Sequence, residues 1–281
     1  LPAAKITPEI AKTRGIPMGV DCNSPAGHSA FQTPLELMQF ITQLRELSGG
    51  KPVGFKLCIG KISEWFAIIK AMQETKVTPD FIVIDGSEGG TGAAPVEFVD
   101  HVGTPMRDAL RLVHMTLIGV GLRDQIKLGV AGKIVSAFDI ARACAIGADW
   151  CNSARGFMFA VGCIQARSCH TDLCPTGVAT QDAMRQQALD PEDKAHRVFH
   201  FHQNTLIALG ELLTAAGFAH TDELTASAII RRNEQGIAVP LGKNLLQLES
   251  GELLTRDAHI HLNQHFDGLG DYWSSATPTH W

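Results

Sequence analysis

Four short apolar segments separated by helical patterns are the feature that most constrains the fold. GFKLCIG (54–60), FIVIDG (81–86), IKLGVAG (126–132) and ADWCNSA (148–154) are almost uninterrupted apolar runs. Between them, Ile62, Trp65, Phe66 and Ile69 share one helical face, as do Met106, Leu110, Val113 and Leu117. Residues 136–147 give a shorter helix closed by Gly147, and Phe40, Ile41, Leu44 and Leu47 place a helix before the first strand, stopped by Gly49-Gly50. Strands without polar alternation are buried on both faces, so the pattern calls for a parallel sheet covered by helices. Two architectures fit, a (β/α)8 barrel and an open doubly wound sheet. Polar residues or glycines end each strand, at Lys56, Asp85-Gly86, Gly129 to Lys133 and Asn152 to Gly156. Function gathered at successive strand ends is barrel behaviour. Four strands cannot close a barrel of eight, so the expectation is the second half of one.

From about Asp193 the composition changes. A long helix is expected over 196–217, followed by mixed turns and a tail rich in His, Gly and Trp. The expected division is therefore a partial barrel over 1–192 and a C-terminal helix with an irregular, loosely packed extension over 193–281.

Charge narrows the function. The 281 residues carry 24 basic and 29 acidic side chains, a net charge of −5, with no basic run. That argues against a nucleic-acid groove. No apolar run reaches the roughly 18–20 residues needed to span a bilayer, and the first residues lack the order of a secretory signal, so the chain reads as soluble and cytoplasmic.

Seven cysteines are an odd number, and Cys163, Cys169 and Cys174 sit close together in CIQARSCHTDLCP. Thiolates favour soft iron or zinc. Three of them suit an iron–sulfur cluster with one incomplete corner, while His170 would complete a zinc site, and three unligated buried thiols are the remaining reading. Pro175 follows the last cysteine, as in many iron–sulfur ligand runs. Cys22, Cys58, Cys144 and Cys151 are read as small core residues.

The other chemical signal is DGSEGGTGAAP (85–95). Its glycines at 86, 89, 90 and 92 would let a flat cofactor approach the backbone, without the order of a dinucleotide fingerprint. Asp85 and Glu88 are candidates for acid–base work or for binding a substrate amine, against the plainer reading of one loop-capping and one solvated carboxylate. Lys56 interrupts an apolar strand, and an unpaired buried ammonium is costly, so it should reach the rim and meet a flavin or a carboxylate. Arg123 in GLRD is a further cofactor candidate, or helix-to-strand punctuation. AGK and SARG, with Gly132, Lys133, Arg155 and Gly156, offer amides and cations to a phosphate at the last two strand ends. Ser24 and His28 lack the strand–turn–helix setting of a nucleophile.

GGKPVGFKLCIG, DGSEGGTGAAP, GLRD, GADWCNSARG and GCIQARSCHTDLCPTGVATQD, in this order, resemble the synthase domain of glutamate synthase and of glutamate synthase-related proteins. The resemblance covers about residues 1–215. It implies a TIM barrel binding FMN and a 3Fe-4S cluster, in which reduced FMN delivers a hydride to 2-iminoglutarate, formed from 2-oxoglutarate and ammonia, to give L-glutamate. By the same resemblance, Cys163, Cys169 and Cys174 are the cluster ligands, and Lys56 lies near flavin and substrate. Gly86, Gly89, Gly90, Thr91 and Gly92 cover the flavin; Gly132, Lys133, Arg155 and Gly156 hold its phosphate. Electrons would come from ferredoxin or a reductase subunit, ammonia free or from a glutaminase subunit, and the first half of the barrel from elsewhere. Where the family carries a histidine before this loop, the chain runs Gly86-Ser87-Glu88-Gly89. That leaves two alternatives: an FMN oxidoreductase or amino-group transferase acting on another substrate, and a non-catalytic iron–sulfur subunit or inactive fragment.

Overall fold

The structure, a computed structural model, describes residues 1–25, 27–89 and 97–281. Helices α1 (Pro8–Arg14) and α2 (Pro34–Leu47) precede β1 (Gly54–Leu57), α3 (Ile62–Thr75), β2 (Phe81–Asp85), α4 (Met106–Gly119), β3 (Lys127–Ala131), α5 (Ala137–Ile146) and β4 (Trp150–Asn152). The chain continues through α6 (Ala154–Ala160), α7 (Ala183–Gln186), α8 (Pro191–Ala215), a hairpin of β5 (Ile230–Arg232) and β6 (Ala238–Pro240), then α9 (Ala258–His265) and α10 (Leu269–Ser275). Strands β1 to β4 form one parallel sheet in the order β1-β2-β3-β4. Sequential order leaves no switch point of the kind a doubly wound sheet requires.

The register divides the sheet into two faces. On one, Phe55, Ile82 and Leu128 stand side by side, then Leu57, Ile84, Val130 and Cys151. This face meets the helices: Ile82, Ile84, Leu128 and Val130 have no exposed surface and pack with Trp65, Phe66, Ile69, Leu110, Val113 and Leu117. Each large side chain buried here is worth about 1.5–3 kcal/mol. The indole N–H of Trp65 donates to Thr116 Oγ1 at 2.8 Å, so the one polar atom of that ring is satisfied in the core.

The other face is layered. Gly54, Phe81 and Lys127 form the lowest row, Lys56, Val83, Gly129 and Trp150 the next, and Asp85, Ala131 and Asn152 the row at the C-terminal ends. A Cβ on Gly129 would lie 2.3 Å from the Trp150 ring, and one on Gly54 would meet Phe81. Small residues beside large ones let Phe81 and Trp150 meet edge to face, 6.1 Å between centroids.

A latch is used twice at the strand starts. Asp80, just before β2, accepts the Val53 amide at 2.7 Å and the Arg45 guanidinium at 2.9 Å. Asp149, just before β4, accepts the Leu128 amide at 2.7 Å and Arg123 at 2.8 Å. In each case a carboxylate ties one strand to its predecessor.

The tail is not the loosely packed extension expected. Leu246, Leu248, Leu253, Leu262, Leu269 and Trp273 belong to the same buried cluster as the sheet. Trp273 meets Phe66 edge to face at 5.2 Å, and the Lys70 ammonium donates to the carbonyls of Trp273 and Ala276. Scattered leucines on short irregular elements do the work that a periodic helix face does elsewhere. Among the described residues, no helix is long and apolar enough to cross a membrane.

Candidate functional site

At the C-terminal ends of the sheet, Lys56 Nζ lies 2.7 Å from Asp85 Oδ2, with the lysine side chain 54% exposed. The pairing follows from the register, since both residues point to the layered face on adjacent strands. The lysine thus reaches the rim, as its place in an apolar strand requires.

Glu88 is committed elsewhere. Its two carboxylate oxygens accept the Met106 amide at 3.1 and 2.9 Å, capping α4 at the positive end of the helix. Glu88→Ala should therefore lower stability by about 1 kcal/mol; an unchanged urea midpoint would remove this capping role. Gly86 is needed for the same junction: a Cβ there would lie 2.0 Å from Glu88 Oε2 and 2.5 Å from Met106 Cβ. A Cβ on Gly132 would likewise lie 2.7 Å from Met106 Cβ. The approach of α4 accounts for these two glycines without a bound group. A Cβ on Gly89 would sit 3.2 Å from Asp85 Oδ1. Gly90, Thr91 and Gly92 lie outside the described residues.

Lys133 reaches both carboxylate oxygens of Asp100, at 2.5 and 2.6 Å, and Asp100 in turn donates its amide to Ser87 O. Asp100, absent from the sequence reading, neutralises one of the two proposed phosphate cations. Arg155, in the first turn of α6, makes no hydrogen bond or ion pair with any described residue. Gly156 is buried where α8 crosses α6, and a Cβ there would lie 2.9 Å from the Phe201 ring.

Arg123 is not brought to this rim. It precedes β3, at the opposite end of the sheet, where it donates to His114 Nδ1 at 2.9 Å, to Ile126 O and Gly147 O, and pairs with Asp149. A residue before a strand sits at its start, so the punctuation reading describes its surroundings. Burial, reinforced by the Arg123 charge, pushes His114 down to about 4.

Cys58 also differs from its sequence reading as a core residue: it is exposed at the end of β1. Partial enclosure of the sulfur and the Asp85 charge raise its thiol pKa.

Cys163, Cys169 and Cys174 line one pocket with Met158, Ile164, Thr176 and Val178. Met158 comes from α6, so the pocket is joined to the end of β4. Burial pushes the Cys174 thiol up, but the Thr176 hydroxyl and the amides of Ala179, Thr176 and Val178 more than reverse this and leave it below its usual value. Thiolate character at this position is therefore favoured. Of the six non-glycine residues with positive φ among the described residues, Gln165, Arg167 and Asp172 fall in this loop. Such strain collects at functional sites. Lys5, 6% exposed, donates from Nζ to Cys169 O at 2.5 Å and pins the N-terminal segment to the loop. Sequence reasoning missed it because the two residues are 164 positions apart. Among the described residues, no group of three His, Cys, Asp or Glu side chains converges closely enough to hold a single metal ion.

Residues 1–219 match a family described as the conserved region in glutamate synthase. The chain is 41% identical over 247 residues to the glutamate synthase large subunit-like protein YerD of Bacillus subtilis, covering 88% of the chain and 47% of that protein. It is 38% identical over 225 residues to the archaeal glutamate synthase [NADPH] of Methanocaldococcus jannaschii, covering 80% of the chain and 43% of that protein. It is 33% identical to the glutamate synthase [NADPH] large chain of B. subtilis, covering 80% of the chain and 14% of that protein. The chain thus spans less than half the length of these relatives.

Proposed function

The chain belongs to the glutamate synthase family, and from that premise we propose that it forms the second half of a (β/α)8 barrel that makes L-glutamate from 2-iminoglutarate. The observation that carries the reading is the convergence of Cys163, Cys169 and Cys174 on one pocket beside α6. Three thiolates on one pocket suit a cluster in which each binds a different iron and one corner is left incomplete. Sequential strand order and the small-beside-large rows of the layered face support the barrel.

Bound FMN would supply hydride transfer and a 3Fe-4S cluster single-electron relay to it. Cys163, Cys169 and Cys174 would hold the cluster. The donor set of the rim fits a flavin phosphate at Arg155, a cation without a protein partner among the described residues, more simply than at Lys133, which Asp100 already neutralises. Lys56 would bind the carboxylate of a 2-oxo or 2-imino acid, and Asp85 would hold its ammonium in place. Cytoplasmic location, electron supply from ferredoxin or a reductase subunit, and ammonia from a glutaminase subunit belong to the same proposal.

Lys56→Met should weaken flavin or 2-oxoglutarate binding at least tenfold. Unaltered affinity for both would remove Lys56 from the site. The reading as a whole is tested by an anaerobic absorption spectrum with iron, sulfide and FMN quantified on the same sample. Flavin bands over broad cluster absorption, with reoxidation by 2-oxoglutarate and ammonia, are expected. Flavin without that reoxidation would favour an FMN oxidoreductase or amino-group transferase with another substrate, and cluster without flavin a non-catalytic iron–sulfur subunit.

A further inference from the structure

A second cleft, apart from the cysteines, lies where the C-terminal segment covers the starts of α3 and α4. It holds about 230 Å³. Arg111 lies at its edge on α4, only 7% exposed, with Nε donating to Leu246 O at 2.6 Å. Neither Nη group has a hydrogen-bond partner among the described residues, and no polar side-chain atom there is sealed from solvent without one. The two groups therefore keep contact with solvent, and Arg111 lines the cleft. Burial pushes this guanidinium down to about 10, the mark of a cation short of compensation.

Two carboxylates share the cleft. Asp108 stands one helical turn before Arg111 on α4, and Asp267 comes from the turn after α9. The rest of the wall is apolar, including Leu112, Leu245 and Leu269. A guanidinium with a free fork binds a carboxylate through two parallel hydrogen bonds. Two acids beside it would repel a simple anion but attract one that also carries a cation. We propose that this cleft binds an apolar α-amino acid as its zwitterion, carboxylate on the Arg111 fork, ammonium toward Asp108 and Asp267, side chain against the leucines.

The test is calorimetric titration of the full protein with L-leucine and L-phenylalanine, and with two half-ligands, 4-methylpentanoate and 3-methylbutylamine. Saturable binding of at least one amino acid is expected, with each half-ligand at least tenfold weaker than leucine. Arg111→Gln should weaken amino-acid binding at least tenfold. Asp108→Asn, at an exposed position, should weaken the amino acid while leaving 4-methylpentanoate unchanged. Absence of saturable binding by both amino acids overturns the proposal. So does equal affinity for 4-methylpentanoate, or an unchanged amino-acid affinity in Asp108→Asn, which decides the matter even if Arg111→Gln does not fold.

Discussion

Replacing Cys169 with serine should strip iron and sulfide from the purified protein while leaving its fold intact. The two parts of this expectation have separate grounds. Cys169 lines the pocket shared with Cys163 and Cys174, and a hydroxyl is a poor substitute for a thiolate toward iron. None of the three belongs to the buried cluster that joins the sheet to its helices, so the far-ultraviolet spectrum and the urea midpoint should change little. Iron and sulfide equal to the parent would remove Cys169 from the proposed ligand set, while the family membership, which rests on the match over residues 1–219, would stand.

Asp149→Ala should be the most destabilising change at the other end of the sheet, by about 3 kcal/mol. It leaves the Arg123 guanidinium, whose side chain is 17% exposed, without its carboxylate, and the Leu128 amide without its acceptor. The expected signature is a lower urea midpoint at unchanged slope. A loss under about 0.5 kcal/mol would show that water replaces the carboxylate at no cost.

The pH dependence separates the members of this network. Burial raises the Asp149 carboxyl, but the Leu128 amide and the Arg123 charge outweigh it, and the net pKa is lowered. Its contribution is therefore complete above the unfolded carboxylate value near 3.9 and is lost as pH falls below it. Asp149→Ala should flatten that acid limb. His114 acts at higher pH: unfolded it takes a proton near 6.5, folded only near 4, so stability should decline as pH falls through that interval in both proteins.

The sheet was legible in the sequence because buried parallel strands need unbroken apolar runs, and all four runs became β1 to β4. The helix faces named by Trp65 and Phe66, or by Leu110 and Val113, were legible for the same reason: period 3.6 survives without knowledge of the neighbours. The long helix begins earlier than its apolar residues suggest, since Asp190 caps it and Pro191 opens its first turn. The tail was misread because Leu246, Leu253 and Leu262 have no common period, and their burial depends on the surface left open by α3 and α4. At the rim, Lys56 was legible from the cost of burying it, whereas its partner, and the Lys133 to Asp100 pair, are set by register and loop path. The cysteine spacing pointed to the three thiols that line one pocket, but the Lys5 contact joins segments that no local pattern relates.

The paired latches at Asp80 and Asp149 bear on how such a chain evolves. The units that begin at β2 and β4 are each fastened to the unit before by one carboxylate that meets a guanidinium and a backbone amide of that earlier unit. A unit so fastened can be exchanged only where the one before it offers a matching guanidinium and amide, so the latch fixes neighbour order at this end of the sheet. The opposite rim bears no such duty and is free to drift in chemistry while the scaffold stays the same, which is how one scaffold can come to serve several different substrates.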